Sequence, residues 1–283
     1  MKDILFKLNN IRVEISFKSL NDLRSMLSFY QKNNLYKINI PCKNTLKKDF
    51  LLESIKISRE EFPSIDIIPH FSILHEFRKN RINTQNSFIK FLEVTKSLGC
   101  NEVLLVSGSQ RRTTLDSVSM LNFLKDISSS YKRYIDIGVA FNPYLPALLF
   151  NEEIKRLEKK LQSGNVSSIW IQFGTDYKLL ESRIKILENL IDSIFNNTSK
   201  LSNINLFGSI FIPSTQFLAR FKFRPWKGVY CSSEFLESVD VAYYLVEKLL
   251  KIYKKYNICP IIETNIYSDN NLESLKNIMG ICT

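Results

Sequence analysis

The sequence predicts an α/β protein, a single (β/α)8 barrel of the TIM type that forms one domain over residues 1–283. Short β-branched runs alternate along the chain with longer segments whose apolar residues recur at helical spacing. This alternation indicates a parallel sheet, because parallel neighbours need crossover connections that are usually helices. Eight such units in 283 residues favour a closed barrel over an open doubly wound sheet.

The predicted strands are eight short runs rich in Ile, Val and Phe. They are IRVEISF (11–17), LYKINIP (35–41), IDIIPHF (65–71), NEVLLVS (101–107), IDIGVAF (135–141), SSIWIQF (167–173), INLFGSIFI (204–212) and ICPIIET (258–264). Helical spacing is clearest in residues 21–33, 87–99, 117–131, 177–195 and 233–256, the last of which we expect to be the longest helix. The segment RFKFRPWKG (220–228) has neither period and is expected to be irregular.

A dinucleotide-binding fold is the main alternative to a barrel. That fold carries a GxGxxG motif after its first strand. No predicted strand is followed by such a motif, and the chain has only eight glycines. No linker rich in Pro, Gly or Ser divides the sequence, which supports the expectation of one domain.

Composition and charge exclude several classes of protein. No window approaches the ~18 uninterrupted apolar residues of a membrane helix, and the amino terminus lacks the features of a secretory signal, so we expect a cytoplasmic protein without membrane partners. Five cysteines occur singly, which argues against disulfides and a zinc site, and no metal is expected. The net charge of +11 is spread through helical segments, so we expect attraction of anionic ligands rather than nucleic-acid binding.

Polar residues late in the strands are the candidate site, because the active site of a (β/α)8 barrel forms at the carboxyl ends of its strands. These residues are Glu14, His70, Ser107, Ser109, Asn142, Gln172 and Glu263. A carboxylate inside a barrel needs hydrogen bonds or a raised pKa, and the latter suits a general acid. From the residues alone, a rim or structural position remains open for each of them.

Several motifs, in order along the chain, resemble the methylenetetrahydrofolate reductase family. VEISF matches the strand that carries the family's catalytic Glu, and PHFSI matches its PHLTC-like motif. The further matches are GCNEVLLVSGS (99–109), VAFNPYLP (139–146), LEKKLQSGN (157–165), the strand that ends in Gln172, and GSIFIPSTQF (208–217). The resemblance covers essentially the whole chain and implies the reduction of 5,10-methylenetetrahydrofolate to 5-methyltetrahydrofolate by hydride from FAD, with NAD(P)H as the candidate electron donor.

The resemblance also assigns roles to individual residues. Glu14 is the expected acid, Gln172 is expected to bind folate, and Phe217 is expected to pack on the folate or nicotinamide ring. The cofactor residues that it implies are His70, Ser107, Ala140, Asn142, Lys159 and Lys160.

Two departures from the family pattern lie in the segment SGS. Ser107 replaces an Arg expected near the flavin pyrophosphate, and Ser109 replaces an Asp expected near folate. Both changes remove charge on the flavin side, and an Arg–phosphate contact is worth roughly 1.5–3 kcal/mol. A flavin-free enzyme that transfers a methyl or one-carbon unit from tetrahydrofolate is therefore an alternative, as is a non-catalytic partner subunit. The sequence leaves the oligomeric state open.

Overall fold

A computed structural model describes residues 5–42, 48–76, 80–108, 115–127, 135–195 and 204–281. Its eight strands form a closed parallel barrel in sequence order, with β1 paired to both β2 and β8. The strands are β1 (Arg12–Glu14), β2 (Lys37–Ile40), β3 (Asp66–Ser72), β4 (Glu102–Val106), β5 (Asp136–Phe141), β6 (Ser168–Ile171), β7 (Asn205–Ile210) and β8 (Ile258–Ile262). The predicted (β/α)8 barrel is confirmed.

Helices connect the strands on the outside of the barrel. They are α1 (Leu20–Lys32), α2 (Lys48–Glu61), α3 (Ile73–Glu76), α4 (Arg81–Ser97), α5 (Ser117–Asp126), α6 (Ala147–Leu161), α7 (Tyr177–Phe195), α8 (Thr215–Phe223), α9 (Val239–Lys255) and α10 (Asp269–Ile278). Short 3-10 turns cover Leu8–Asn10 and Glu234–Leu236. No helix in the described part of the chain is long and apolar enough to cross a membrane.

Side-chain caps fix where many of these helices begin. At seven helix starts in the described part of the chain, the side chain of the preceding residue accepts a hydrogen bond from the backbone N–H three residues later, which satisfies a donor that the helix itself cannot pair. These residues are Ser19, Asn80, Asp116, Asp176, Ser214, Ser238 and Ser268.

Two predictions of secondary structure need correction. The segment 233–256 is a 3-10 turn followed by α9, because Ser238 caps a new helix there, and at 17 residues α9 is shorter than α7 with 19. The irregular segment predicted over 220–228 begins only after Phe223, since the preceding residues form the last turn of α8.

Alternate residues of each strand face two different cores. One set packs against the helices in the large outer core, as Phe71 does against Phe88 and Phe91 of α4 with ring centroids 4.8 and 5.4 Å apart. The other set fills the inside of the barrel, where Ile68, Leu104, Trp170, Phe207 and Ile261 form a separate buried cluster. The barrel is thus closed by side chains at its centre, and ligand access is restricted to its ends.

Candidate functional site

A cavity of about 200 Å³ lies above this inner cluster, at the carboxyl ends of the strands. It includes residues from every strand or the position directly after it. The lining residues are Glu14, Asn39, His70, Leu104, Val106, Ala140, Trp170, Ile171, Gln172, Ser209, Ile261 and Glu263. We call it the mouth cavity. Of the residues predicted from the sequence, it brings together Glu14, His70, Ala140, Gln172 and Glu263.

Glu14 and Asn39 form one side of the mouth cavity. They are register partners on the adjacent strands β1 and β2, so their side chains lie next to each other on the inner face. Glu14 is half-buried, whereas Asn39 is completely buried. A carboxylate and an amide therefore sit side by side at the cavity wall.

The opposite wall is built by β5 and β6. Gln172 directly follows β6, and its backbone N–H donates to the carbonyl of Phe141 at 2.8 Å, which continues the sheet for one residue. His70 packs edge-on against Trp170 with ring centroids 6.0 Å apart. The small side chain of Ala140, beside Trp170 in register, leaves space at this wall.

Beneath the cavity, a carboxyl group is buried inside the barrel. The Glu102 carboxylate accepts hydrogen bonds from Ser168 Oγ and, at 3.3 Å, from the indole Nε1 of Trp170. Burial raises the pKa of Glu102, while these hydrogen bonds and the nearby Arg12 partly offset the shift. Gly138 is required at this point, because a Cβ there would collide with Trp170 Nε1 and Ser168 Oγ.

Ser107 lies outside the mouth cavity and is engaged at the start of α5. Its Oγ accepts a hydrogen bond from the backbone N–H of Ser117 at 2.9 Å and donates to the Ser117 hydroxyl at 3.1 Å. Asp116 caps the same helix and pairs with Arg156 at 3.1 Å. Ser109, predicted next to folate, lies outside the described residues.

Asn142 also lies outside the mouth cavity, and both ends of its side chain are engaged. Nδ2 donates to the carbonyl of Gly228 at 2.8 Å, and Oδ1 accepts from the backbone N–H of Tyr144 at 3.0 Å. Asn142 therefore joins the end of β5 to the segment that follows α8.

The two lysines assigned to the flavin by resemblance occupy different environments. Lys159 is exposed, whereas Lys160 is buried and its Nζ donates to the carbonyl of Ala140 at 2.8 Å. Burial lowers the pKa of Lys160, and the nearby Glu153 partly offsets the shift.

Phe217 belongs to an aromatic cluster on the outer side of β6 and β7. It stacks on Phe211 with centroids 5.2 Å apart and planes inclined by 11°, and it contacts Phe173, Trp226 and Phe235 at 5.6 to 6.4 Å. Phe217 is not a lining residue of the mouth cavity.

Several groups expected near the pyrophosphate of a flavin dinucleotide are engaged in contacts within the protein. Phosphate groups bind cationic side chains and free helix N-termini. Here the ammonium of Lys160 is bonded to a backbone carbonyl, Arg156 is paired with Asp116, and the first turn of α5 is capped by Asp116 and Ser107. Ser107 and Lys160 are thus engaged within the protein, whereas Lys159 is exposed and residues 109–114 lie outside the described part of the chain.

A second cavity, of about 430 Å³, lies between α9 and α10 on the outer surface. Its charged lining includes Glu247 and Lys251, which pair with each other at 2.7 Å. Within the described ranges, no group of three or more His, Cys, Asp or Glu side chains has the arrangement of a metal site. The mouth cavity is therefore the better candidate for a ligand-binding or catalytic site.

Sequence reasoning missed Asn39, Ser209 and the charged residues beneath them. The signal was present, because Arg12 and Glu14 alternate in one strand and therefore face the same side of the sheet. Asn39 is the polar member of KINI, and the register brings it beside Glu14. Asn39 lies as late in its predicted strand as Glu14 does in its own, so its position along the strand also pointed to the cavity.

No family model matches this chain, and no curated protein matches its sequence. Solved structures match its fold at low identity. An uncharacterized protein from Clostridium thermocellum that binds two copies of 5-methyl-5,6,7,8-tetrahydrofolic acid has a TM-score of 0.60 at 12% identity, covering 95% of this chain and 93% of that one.

Two further structural neighbours have unrelated activities. The catalytic domain of a hyperthermophilic chitinase from Pyrococcus furiosus has a TM-score of 0.55 at 9% identity, covering 90% of this chain and 83% of that one. An aldo-keto reductase from Klebsiella pneumoniae in complex with NADPH has a TM-score of 0.55 at 8% identity, with coverages of 97% and 86%. At such identities the likeness shows the (β/α)8 barrel and nothing about the reaction.

Proposed function

We propose that this chain is a one-domain barrel enzyme that binds a reduced folate in the mouth cavity and acts on its one-carbon unit. The observation that carries the proposal is the presence of Glu14 and Gln172 in one cavity at the carboxyl ends of the strands. The order of the sequence motifs supports it. So does the Clostridium thermocellum barrel, which binds 5-methyltetrahydrofolate and matches nearly the whole chain.

The proposed role of Glu14 is to move a proton at a folate nitrogen. Opening the methylene bridge of 5,10-methylenetetrahydrofolate requires protonation of a nitrogen, and so does release of a methyl group from N5 of 5-methyltetrahydrofolate. A carboxyl group in a largely enclosed cavity is suited to this step. Gln172 offers both a donor and an acceptor, which suits the alternating donors and acceptors of a pterin ring.

Between the two folate reactions, transfer without a flavin is favoured by the contacts of the described residues. Ser107, Asn142 and Lys160, which the resemblance assigns to FAD, are engaged within the protein. Reduction of 5,10-methylenetetrahydrofolate remains the second candidate, carried by the order of the motifs around Glu14 and Gln172. A non-catalytic partner subunit would have no need of the carboxylate and amide that line the cavity.

The test is a titration of the purified protein with 5-methyltetrahydrofolate. Trp170 lines the mouth cavity, so its fluorescence should change on binding. We expect saturable binding that Gln172→Ala weakens by about tenfold and that Gln162→Ala, an exposed control at the end of α6, leaves unchanged. Absence of binding to the wild type would rule out the folate proposal.

The visible spectrum separates the two reactions. Flavin-free transfer predicts a colourless protein that takes up no FAD when it is added. Absorbance near about 450 nm that is released as FAD on denaturation would instead establish the reductase candidate.

A further inference from the structure

The orientation of the Asn39 side-chain amide is fixed by Arg12. Arg12 Nε donates to Asn39 Oδ1 at 2.9 Å. A guanidinium has no acceptor, so only the oxygen end of the amide can face it. The Nδ2 end is therefore turned away from Arg12, which removes the usual ambiguity between the two ends of an asparagine amide.

Arg12 is itself held firmly inside the barrel. Its Nη1 forms an ion pair with Asp66 Oδ2 at 2.6 Å, and its Nη2 donates to the carbonyl of Ile38 at 2.9 Å. The Arg12 side chain is 4% exposed, whereas that of Asp66 is 47% exposed at the opposite end of the strands. The guanidinium thus connects the solvated Asp66 to the buried Asn39 by contacts that leave little freedom to either.

The Nδ2 group of Asn39 has no hydrogen-bond partner among the described residues, although Asn39 is 0% exposed. A buried amide donor without a partner costs free energy, so such groups are rare and need an explanation. Asn39 also lines the mouth cavity. The donor is therefore buried at the edge of a space that a ligand can fill.

We propose that Asn39 is a ligand-binding residue, whose Nδ2 donates a hydrogen bond to a carbonyl oxygen or unprotonated ring nitrogen of the molecule in the mouth cavity. Arg12 is then a positioning residue, which holds the amide in this orientation. The identification of the acceptor as a pterin atom rests on the proposed function. Because Glu14 is the register neighbour of Asn39, the two side chains would contact adjacent atoms of the same ring.

The variant that tests this inference is Asn39→Asp. Aspartate keeps the shape and the oxygen that accepts from Arg12, but it replaces the donor with a second acceptor. We expect the affinity for 5-methyltetrahydrofolate to fall by at least about tenfold, while the melting temperature changes little because Arg12 still donates to the retained oxygen. The matched control is Asn205→Asp, an exposed position at the start of β7 that makes the same change of charge away from the cavity.

A second measurement uses the wild type and does not depend on the folding of a variant. The side-chain amide protons of Asn39, assigned through their proximity to Arg12, are followed by NMR during titration with 5-methyltetrahydrofolate and, separately, with 2-pyridone as a small ring carbonyl compound. We expect these protons to shift on binding, while those of Asn205 do not.

The outcomes separate this inference from the folate proposal. If the wild type binds 5-methyltetrahydrofolate and Asn39→Asp binds it equally well, the inference is overturned. If the wild type does not bind folate but 2-pyridone shifts the Asn39 amide protons, Asn39 remains a ligand-binding residue and the folate proposal fails. If neither compound moves those protons, solvent satisfies the donor and Asn39 is structural.

Discussion

The indole Nε1 of Trp170 lies 3.3 Å from Oε1 of Glu102, inside the barrel and beneath the mouth cavity. The two residues are 68 positions apart in the sequence. Trp170 forms part of the cavity floor, so the buried carboxyl group supports a residue that a ligand would touch. Burial raises the pKa of Glu102 and the contact with Trp170 offsets only part of that shift, so we expect the stability of the barrel to depend on pH.

We expect Glu102→Gln to remove that pH dependence. Burial raises the folded-state pKa of Glu102 above that of an unfolded Glu. Its favourable contribution is then complete below the unfolded pKa and is lost as pH rises through the folded pKa, because the folded protein must bury a charge that the unfolded chain exposes to water. Relative to the variant, the wild type should lose unfolding free energy as pH is raised from 4 towards neutrality, by about 1.4 kcal/mol for each pH unit between the two pKa values.

Urea unfolding followed by tryptophan fluorescence at several pH values measures this difference. The Gln side chain keeps an oxygen that accepts from Trp170, so the variant should fold. Stability curves of the two proteins that run parallel across this pH range would contradict the expectation.

Glu14→Gln should separate binding from turnover. The amide keeps the shape of the carboxylate but cannot deliver a proton, so we expect the affinity for 5-methyltetrahydrofolate to change by less than about threefold while turnover falls by about 10²–10⁴-fold. The fate of a ¹³C-labelled one-carbon unit followed by NMR reports turnover, and Gln172→Ala should show the opposite pattern, with weaker binding. Full turnover by Glu14→Gln would make Glu14 a structural residue.

Asn142→Ala should loosen the segment after α8. The variant loses the 2.8 Å hydrogen bond to the carbonyl of Gly228, so the segment around Gly228 should unfold locally more often. Trypsin should then cleave the peptide bond after Lys227 several-fold faster. Mass spectrometry of timed digests measures the rate. Asn165→Ala, which removes weaker contacts of 3.3 and 3.4 Å elsewhere, is the control, and equal cleavage in both variants would count against this tether.

Two thiols should resist alkylation in the folded protein. Burial raises the pKa of Cys100 and of Cys231 to about 12, so at pH 8 only about one thiol in 10⁴ is ionised and reactive. Iodoacetamide followed by peptide mass spectrometry should find both thiols unlabelled in the native protein and fully labelled in urea. Rapid labelling without denaturant would show that these thiols are accessible.

The strands and most helices could be predicted because the apolar residues of each segment recur at the spacing typical of a strand or of a helix. IRVEISF and SSIWIQF read as strands without reference to any other segment, and the helix 177–195 was predicted with the bounds that α7 has. The start of α9 was predicted too early, because apolar residues lie on both sides of Ser238 and continue the helical pattern across it. Only the capping by Ser238 marks the boundary.

The candidate site was predictable only in part. Glu14, His70, Ala140 and Gln172 line one cavity because barrel closure brings the carboxyl ends of all strands together. Ser107, Asn142 and Phe217 also follow strands or lie near their ends, but their side chains contact a helix terminus, a loop and an aromatic cluster. The position of a residue in a motif predicts where it lies along a strand. It does not predict which neighbouring groups its side chain contacts.

The sequence by itself determined the eight repeated units, and with them a closed parallel barrel whose strands all end on one side. The tertiary structure decided which polar groups meet inside it. Arg12 pairs with Asp66 over 54 positions, and Asn39 receives its orientation from that pair. Such contacts depend on register and on the order of strands around the closed sheet, whereas hydrophobic periodicity depends only on local spacing.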